Sequence, residues 1–162
     1  MRSDGAIVSV ISMIKRITAT NAPAATILVR LMVGSVFLSE GIQKFMYSKD
    51  LGVGRFGRIG LPSPEILAPL VASFEIVCGS LILIGMLTRL AAIPLATIIS
   101  VAIYATKIPV LLESGFWKMA HETRTDFSMF LGALFLFIVG AGAWSVDARL
   151  QNRATKAKKK ET

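Results

Sequence analysis

Between Ala25 and Phe45 the chain reads ATILVRLMVGSVFLSEGIQKF. A helix of about 20 such residues, rising ~1.5 Å at each, crosses the ~30 Å hydrocarbon core of a bilayer. Yet the run carries Arg30, Glu40 and Lys44. At about 100° per residue, Arg30, Gly34, Phe37, Gly41 and Lys44 fall within roughly 80° of one another, with Glu40 beside them. A charge at mid-depth costs ~2.5–3.5 kcal/mol even on lenient insertion scales, so these side chains must face a bundle interior or a wet cavity. The first helix therefore requires others to pack against it.

Further runs supply them. Ile66–Leu87, ILAPLVASFEIVCGSLILIGML, follows the turn signal Pro62-Ser63-Pro64 and carries Glu75 near its middle. A third run spans Leu90–Leu112, with small residues Ala92, Ala96 and Ser100 spaced for close helix contact. The short link Thr88-Arg89 predicts an antiparallel hairpin of runs two and three. The fourth, Phe127–Val146, is entered past Asp126 and closed by Trp144 and Asp147, an aromatic and a charge suited to the interface. The expected fold is all-α: an integral membrane four-helix bundle over residues 25–147, with helices near 25–45, 66–87, 90–112 and 127–146.

Residues 1–24 form an N-terminal segment in which Ile7, Val10, Ile11, Ile14 and Ile17 share one helical face, closed by Lys15-Arg16. This pattern predicts a short amphipathic helix lying on the membrane, in preference to a secretory signal, which would end in a small-residue cleavage site. Residues 148–162 form a basic tail. Four crossings place both termini on one side, and Arg2, Lys15, Arg16, Arg89, Arg149, Arg153, Lys156, Lys158, Lys159 and Lys160 gather there. The positive-inside rule makes that side the cytoplasm.

The formal charge of +8 does not point to nucleic acid, because the cations cluster at the ends of apolar runs and in the tail, where anionic lipid headgroups account for them. The single cysteine, Cys78, excludes an intrachain disulfide, a CxxC pair and a cysteine zinc site. With one histidine, His121, a protein-only metal site is not expected, and the solvated loop reading of that histidine is preferred to a proton relay. GVGRFG at 52–57 satisfies G-x-G-x-x-G but follows a membrane helix and runs into Leu-Pro-Ser-Pro, without the βαβ unit a dinucleotide fingerprint needs. It reads as an outer loop that could dip toward the polar interior as a lid. GSVFLSEG at 34–41 and GSLILIG at 79–85 echo each other, which is treated as a packing coincidence.

Depth arithmetic places Arg30 ~7 Å from one end of the first helix and Glu75 ~14 Å into the second from the opposite side. This predicts an Arg30–Glu75 ion pair, with Arg89 as an alternative cation. Glu40, Lys44, Lys107 and Asp126 outline a polar vestibule nearer the outside, unless they are interfacial charges snorkelling to water.

LVRLMVGSVFLSEGIQKF, the loop with GLPSPE, FEIVCGSLILIGMLTRLAA and GAGAWSVD together resemble the DoxX family of small four-helix membrane proteins over residues 28–147. The resemblance implies a bacterial inner-membrane protein linked to membrane redox systems, such as thiosulfate:quinone oxidoreductase or terminal quinol oxidase complexes, or to thiol and oxidative-stress pathways. By position, Arg30, Glu75 and Arg89 fall on the family's recurrent charges, and Asp126 lies where a glutamate is common. Lys107 stands where histidine is frequent, which puts an inherited proton or metal role there in doubt. The expected function is an auxiliary subunit with Glu75 as candidate proton carrier, a quinone headgroup oriented by Arg30 and Arg89, and Glu40, Lys44, Lys107 and Asp126 along its entrance. Expected partners are membrane lipids, a redox subunit and a further copy of the chain. The alternatives are a non-catalytic scaffold or assembly factor, and a small-solute or proton transporter.

Overall fold

The structure, a computed structural model, describes residues 22–152. The N-terminal helix expected over 5–18 and most of the basic tail lie outside the described residues. Among the described residues there are helices and no strand: α1 (Thr26–Met46), α2 (Val53–Arg58), α3 (Pro64–Ile84), α4 (Thr88–Ser114) and α5 (Phe116–Val139), with residues 146–152 again helical. Three of them, α1, α3 and α4, are long and apolar enough to cross a membrane. Their apolar side chains point outward: Ile66 is 71% exposed, Val77 56% and Leu112 80%. Such a surface is stable only against an apolar surrounding, since a water-soluble chain does not expose contiguous apolar area on this scale.

α1 packs chiefly on α3, and α4 chiefly on α5. Val33, Phe37, Ile82, Leu95 and Leu136 close the core between these two pairs. The α1–α3 contact explains the repeated glycines. A Cβ at Gly34 would lie 2.9 Å from the Gly79 carbonyl oxygen, and one at Gly79 would lie 3.0 Å from that of Gly34. The echo between the two runs thus marks the point where two antiparallel backbones touch, the role small residues play between membrane helices. Gly79→Leu should force the pair apart and lower stability by about 1–3 kcal/mol. A reduced thermal midpoint of the purified protein in detergent would register this; an unchanged midpoint would refute the contact.

Three boundaries differ from expectation. The α3–α4 turn is made by Gly85, Met86 and Leu87, and Thr88 and Arg89 open α4 instead of linking the helices. On α4 the buried stripe is Ala91, Ala92, Leu95 and Ile99, so Ser100 is exposed and donates to the Ala96 carbonyl instead of packing on a neighbour. The fourth helix starts eleven residues earlier than expected, at Phe116, and ends seven earlier, at Val139. Its first half, with Lys118, His121, Glu122, Arg124 and Asp126, is polar. Its end is set by Gly140 at φ 90° and Gly142 at φ 82°, a left-handed backbone that glycine adopts without penalty.

Candidate functional site

The gap between the two helix pairs is a cavity of about 380 Å³. Each long helix contributes one stripe. Phe37, Glu40 and Lys44 come from α1; Leu67, Val71 and Glu75 from α3; Thr97, Val101 and Ala102 from α4; Asp126 and Met129 from α5. α2 adds Arg55 and Phe56, the latter buried. The expected lid is therefore a short helix resting on the cavity. Gly54 lets it settle there, because any side chain at that position would collide with the Lys49 carbonyl.

One ion pair dominates the interior. Lys44 Nζ lies 3.0 Å from Glu75 Oε1 and 2.8 Å from Glu75 Oε2, and reaches Glu40 Oε2 at 3.5 Å. The side chains of Glu75 and Lys44 are 4% and 11% exposed. Beside them, Lys107 Nζ meets Asp126 Oδ2 at 3.4 Å, joining α4 to α5. Glu40, Lys44, Glu75 and Asp126 line one cavity, and Lys107, expected among them, is not one of its lining residues but pairs with Asp126.

The expected Arg30–Glu75 pair is replaced by Lys44–Glu75. The Gly34–Gly79 contact fixes the register so that Arg30 lies against the last turn of α3, seven residues beyond Glu75. There Arg30 donates through Nε to the Ile82 carbonyl at 2.9 Å, through Nη2 to Leu83 at 2.6 Å, and through Nη1 to Trp144 at 2.6 Å and Ala141 at 3.3 Å. The unpaired carbonyls at a helix C-terminus carry partial negative charge, which attracts a cation. Arg89 is not in the cavity either; it opens α4 at the same end as Arg30, and its Nε has no partner among the described residues.

Asp147 completes that end. Expected as an interfacial charge, it is 1% exposed and accepts from the backbone N–H of Leu87 at 2.9 Å and of Thr88 at 3.1 Å. It is an N-cap for α4 supplied from 60 residues away. Its own N–H donates to the Gly85 carbonyl at 3.0 Å. The α3–α4 hairpin therefore has a cation on the closing end of one helix and an anion on the opening end of the next. The charges sort by end: Arg30 and Asp147 hold backbone, while Lys44 and Glu75 hold each other inside the cavity.

His121 lies on α5, not in a loop, and its ring meets the Arg124 guanidinium at 2.7 Å on an exposed face, away from the cavity. Cys78 is buried and free. Among the described residues no cluster of His, Cys, Asp and Glu could hold a metal ion.

The DoxX family model matches residues 25–108, the segment that contains α1 to α3, most of α4 and the Lys44–Glu75 pair. The chain belongs to the DoxX family. It is similar, at 51% identity over 146 residues, to the "Uncharacterized membrane protein Rv3486" of Mycobacterium tuberculosis, the alignment covering 86% of this chain and 90% of that one. It is also 30% identical over 122 residues to a Bacillus subtilis protein named "Putative oxidoreductase CatD", over 75% of this chain and 84% of the relative. No solved structure matches. Of the DoxX protein's cavity charges, Glu40, Lys44, Arg55 and Glu75 lie inside the matched segment and Asp126 beyond it.

Sequence reasoning placed the loop that holds Arg55 and Phe56 over the polar interior without naming either residue, and it missed the cap Asp147 at the end away from the cavity. Phe56 had a usable signal, an aromatic between two arginines in a glycine-rich loop. Asp147 had none, because its partners are backbone groups, which no residue letter announces.

Proposed function

We propose that this DoxX protein is an auxiliary subunit of a membrane redox assembly whose cavity receives the head of a quinone-like molecule. A partner subunit carries the redox centre. The single supporting observation is the cavity: about 380 Å³, apolar over most of its wall, with one buried carboxylate–ammonium pair inside. Small-molecule sites span ~300–1,000 Å³ and combine such walls with a few convergent polar groups, so one aromatic ring fits. A bound quinone would supply two-electron, two-proton chemistry. Glu75 is the candidate proton carrier, Lys44 and Arg55 donate hydrogen bonds to head oxygens, and Glu40 and Asp126 line the polar end. The name of the Bacillus subtilis relative supports a redox connection.

We read α5 as the fourth crossing, which makes the domain a four-helix transmembrane bundle in the bacterial inner membrane with both termini in the cytoplasm. The distribution of lysine and arginine supports that orientation. Glu75→Gln keeps an acceptor for Lys44, whose charge stays paired with Glu40; it should abolish quinone-dependent electron transfer in isolated membranes while leaving the protein's abundance unchanged. A scaffold is the second reading, favoured by Arg30 and Asp147, whose charges are engaged wholly in joining helices. Loss of the Glu75→Gln protein from the membrane would favour the scaffold. Movement of protons or a solute by the protein reconstituted alone in liposomes would favour a transporter.

A further inference from the structure

We infer that the cavity is loaded from the bilayer, through the seam between α3 and α4 at the level of Val71 and Val101. Its occupant is an amphiphile whose polar head meets Lys44 and Glu75 while its hydrocarbon tail runs out between the two helices. This rests on the reading of the cavity as a binding site and adds the route and the ligand class.

The seam is where the two helix pairs adjoin. Val101, 49% exposed, and Thr97, also exposed, lie on the outward stripe of α4 with Ile93, Tyr104 and Ile108, yet both line the cavity. The wall at that level is one side chain thick. On α3, Leu67, Val71 and Glu75 recur every four residues and form one track, apolar until it reaches the carboxylate. Counting from the turn at residues 85–87, Val71 stands opposite Val101 and Glu75 opposite Thr97. A tail leaving at Val71 and Val101 therefore exits one helical turn from the ion pair.

The polar end is charged: the Glu40 and Asp126 side chains that line it are 45% and 30% exposed. Beside them α2 seats Phe56, which is buried, and Arg58 holds α2 to its own entering loop, its Nη1 and Nη2 donating to the carbonyls of Lys49 at 3.2 Å and Asp50 at 2.8 Å. A hydrocarbon tail leaving that way would lie against charge, whereas at the seam it has only to slide past valine, leucine and isoleucine side chains already facing the acyl phase.

The test uses the full chain in phospholipid nanodiscs. Val71→Cys in a Cys78→Ala background is labelled with bimane, and fluorescence is quenched either by phospholipids carrying a doxyl group on the acyl chain or by aqueous iodide. Doxyl lipids should quench at least twofold more than iodide, and adding Val101→Trp should cut that quenching at least by half. Leu67→Cys repeats the measurement one turn away if Val71→Cys does not fold, and Phe74→Cys gives the value for a lipid-facing site. Preferential quenching by iodide, or indifference to Val101→Trp, would overturn the inference. Decylubiquinone added to the same sample separates this claim from the one it rests on. Relief of doxyl quenching supports both; quenching that decylubiquinone leaves unaltered supports the lateral route while overturning the quinone reading.

Discussion

Arg30→Leu should leave little folded protein in the membrane. Its guanidinium satisfies four carbonyl oxygens drawn from the last turn of α3 and from the turn after α5. Leucine would fill much of the space but leave those acceptors without donors and Asp147 without the cation it interacts with. Hydrogen bonds to charged groups contribute about 1.5–3 kcal/mol each and do not add independently. Removing one side of a buried charged network costs about 3–5 kcal/mol, against a whole-domain stability of about 5–15 kcal/mol. Arg30→Lys should recover less than half of the loss, because an ammonium is a point charge and cannot spread across carbonyls that a planar fork reaches from three nitrogens. Thermal midpoints of the purified variants in detergent, together with membrane abundance, measure both effects. A fully stable lysine variant would show that only the charge matters.

The second large effect concerns the cavity pair. Lys44→Met strands the carboxylate of Glu75, whose side chain is 4% exposed, and should destabilise the protein by about 3–5 kcal/mol. Adding Glu75→Met to that variant should restore most of the loss, since replacing both members of a buried pair by apolar side chains is often neutral. The two substitutions should therefore be strongly non-additive, the double variant being more stable than Lys44→Met alone. A double variant as unstable as the sum of its singles would mean the two side chains do not act as a unit. If the double variant is stable but quinone-dependent electron transfer is lost, the pair serves chemistry and not architecture.

The spans of α1, α3 and α4 were legible because hydropathy over some twenty residues is a strong signal, and the polar stripe of α1 was legible because helical periodicity is regular. The partnership of the charges was not. Depth counted from helix ends put Arg30 and Glu75 within reach, but register is set by where backbones touch, at Gly34 and Gly79, and that contact brings Lys44 to Glu75 instead. The end of α5 was missed because the hydropathy of GAGAWSV continues a membrane run, while its two glycines release the chain from the helix. Glu40, Lys44 and Asp126 line the same cavity, but counting grouped Asp126 with the others from a helix start at Phe127, whereas α5 begins at Phe116 and carries Asp126 near its middle.

Arg30 and Asp147 together bolt all four long helices at one end, and the cavity opens between the pairs at the other. The molecule is built like a pair of tongs with its pivot at the α3–α4 turn. Arg30 and Asp147 tie one helix pair to the other beside Gly85, whereas the ion pairs Lys44–Glu75 and Lys107–Asp126 away from it each join helices within one pair. Occupants of different girth could be accommodated by a small swing of one helix pair against the other, with no repacking at the pivot and no rupture of any bond that Arg30 makes.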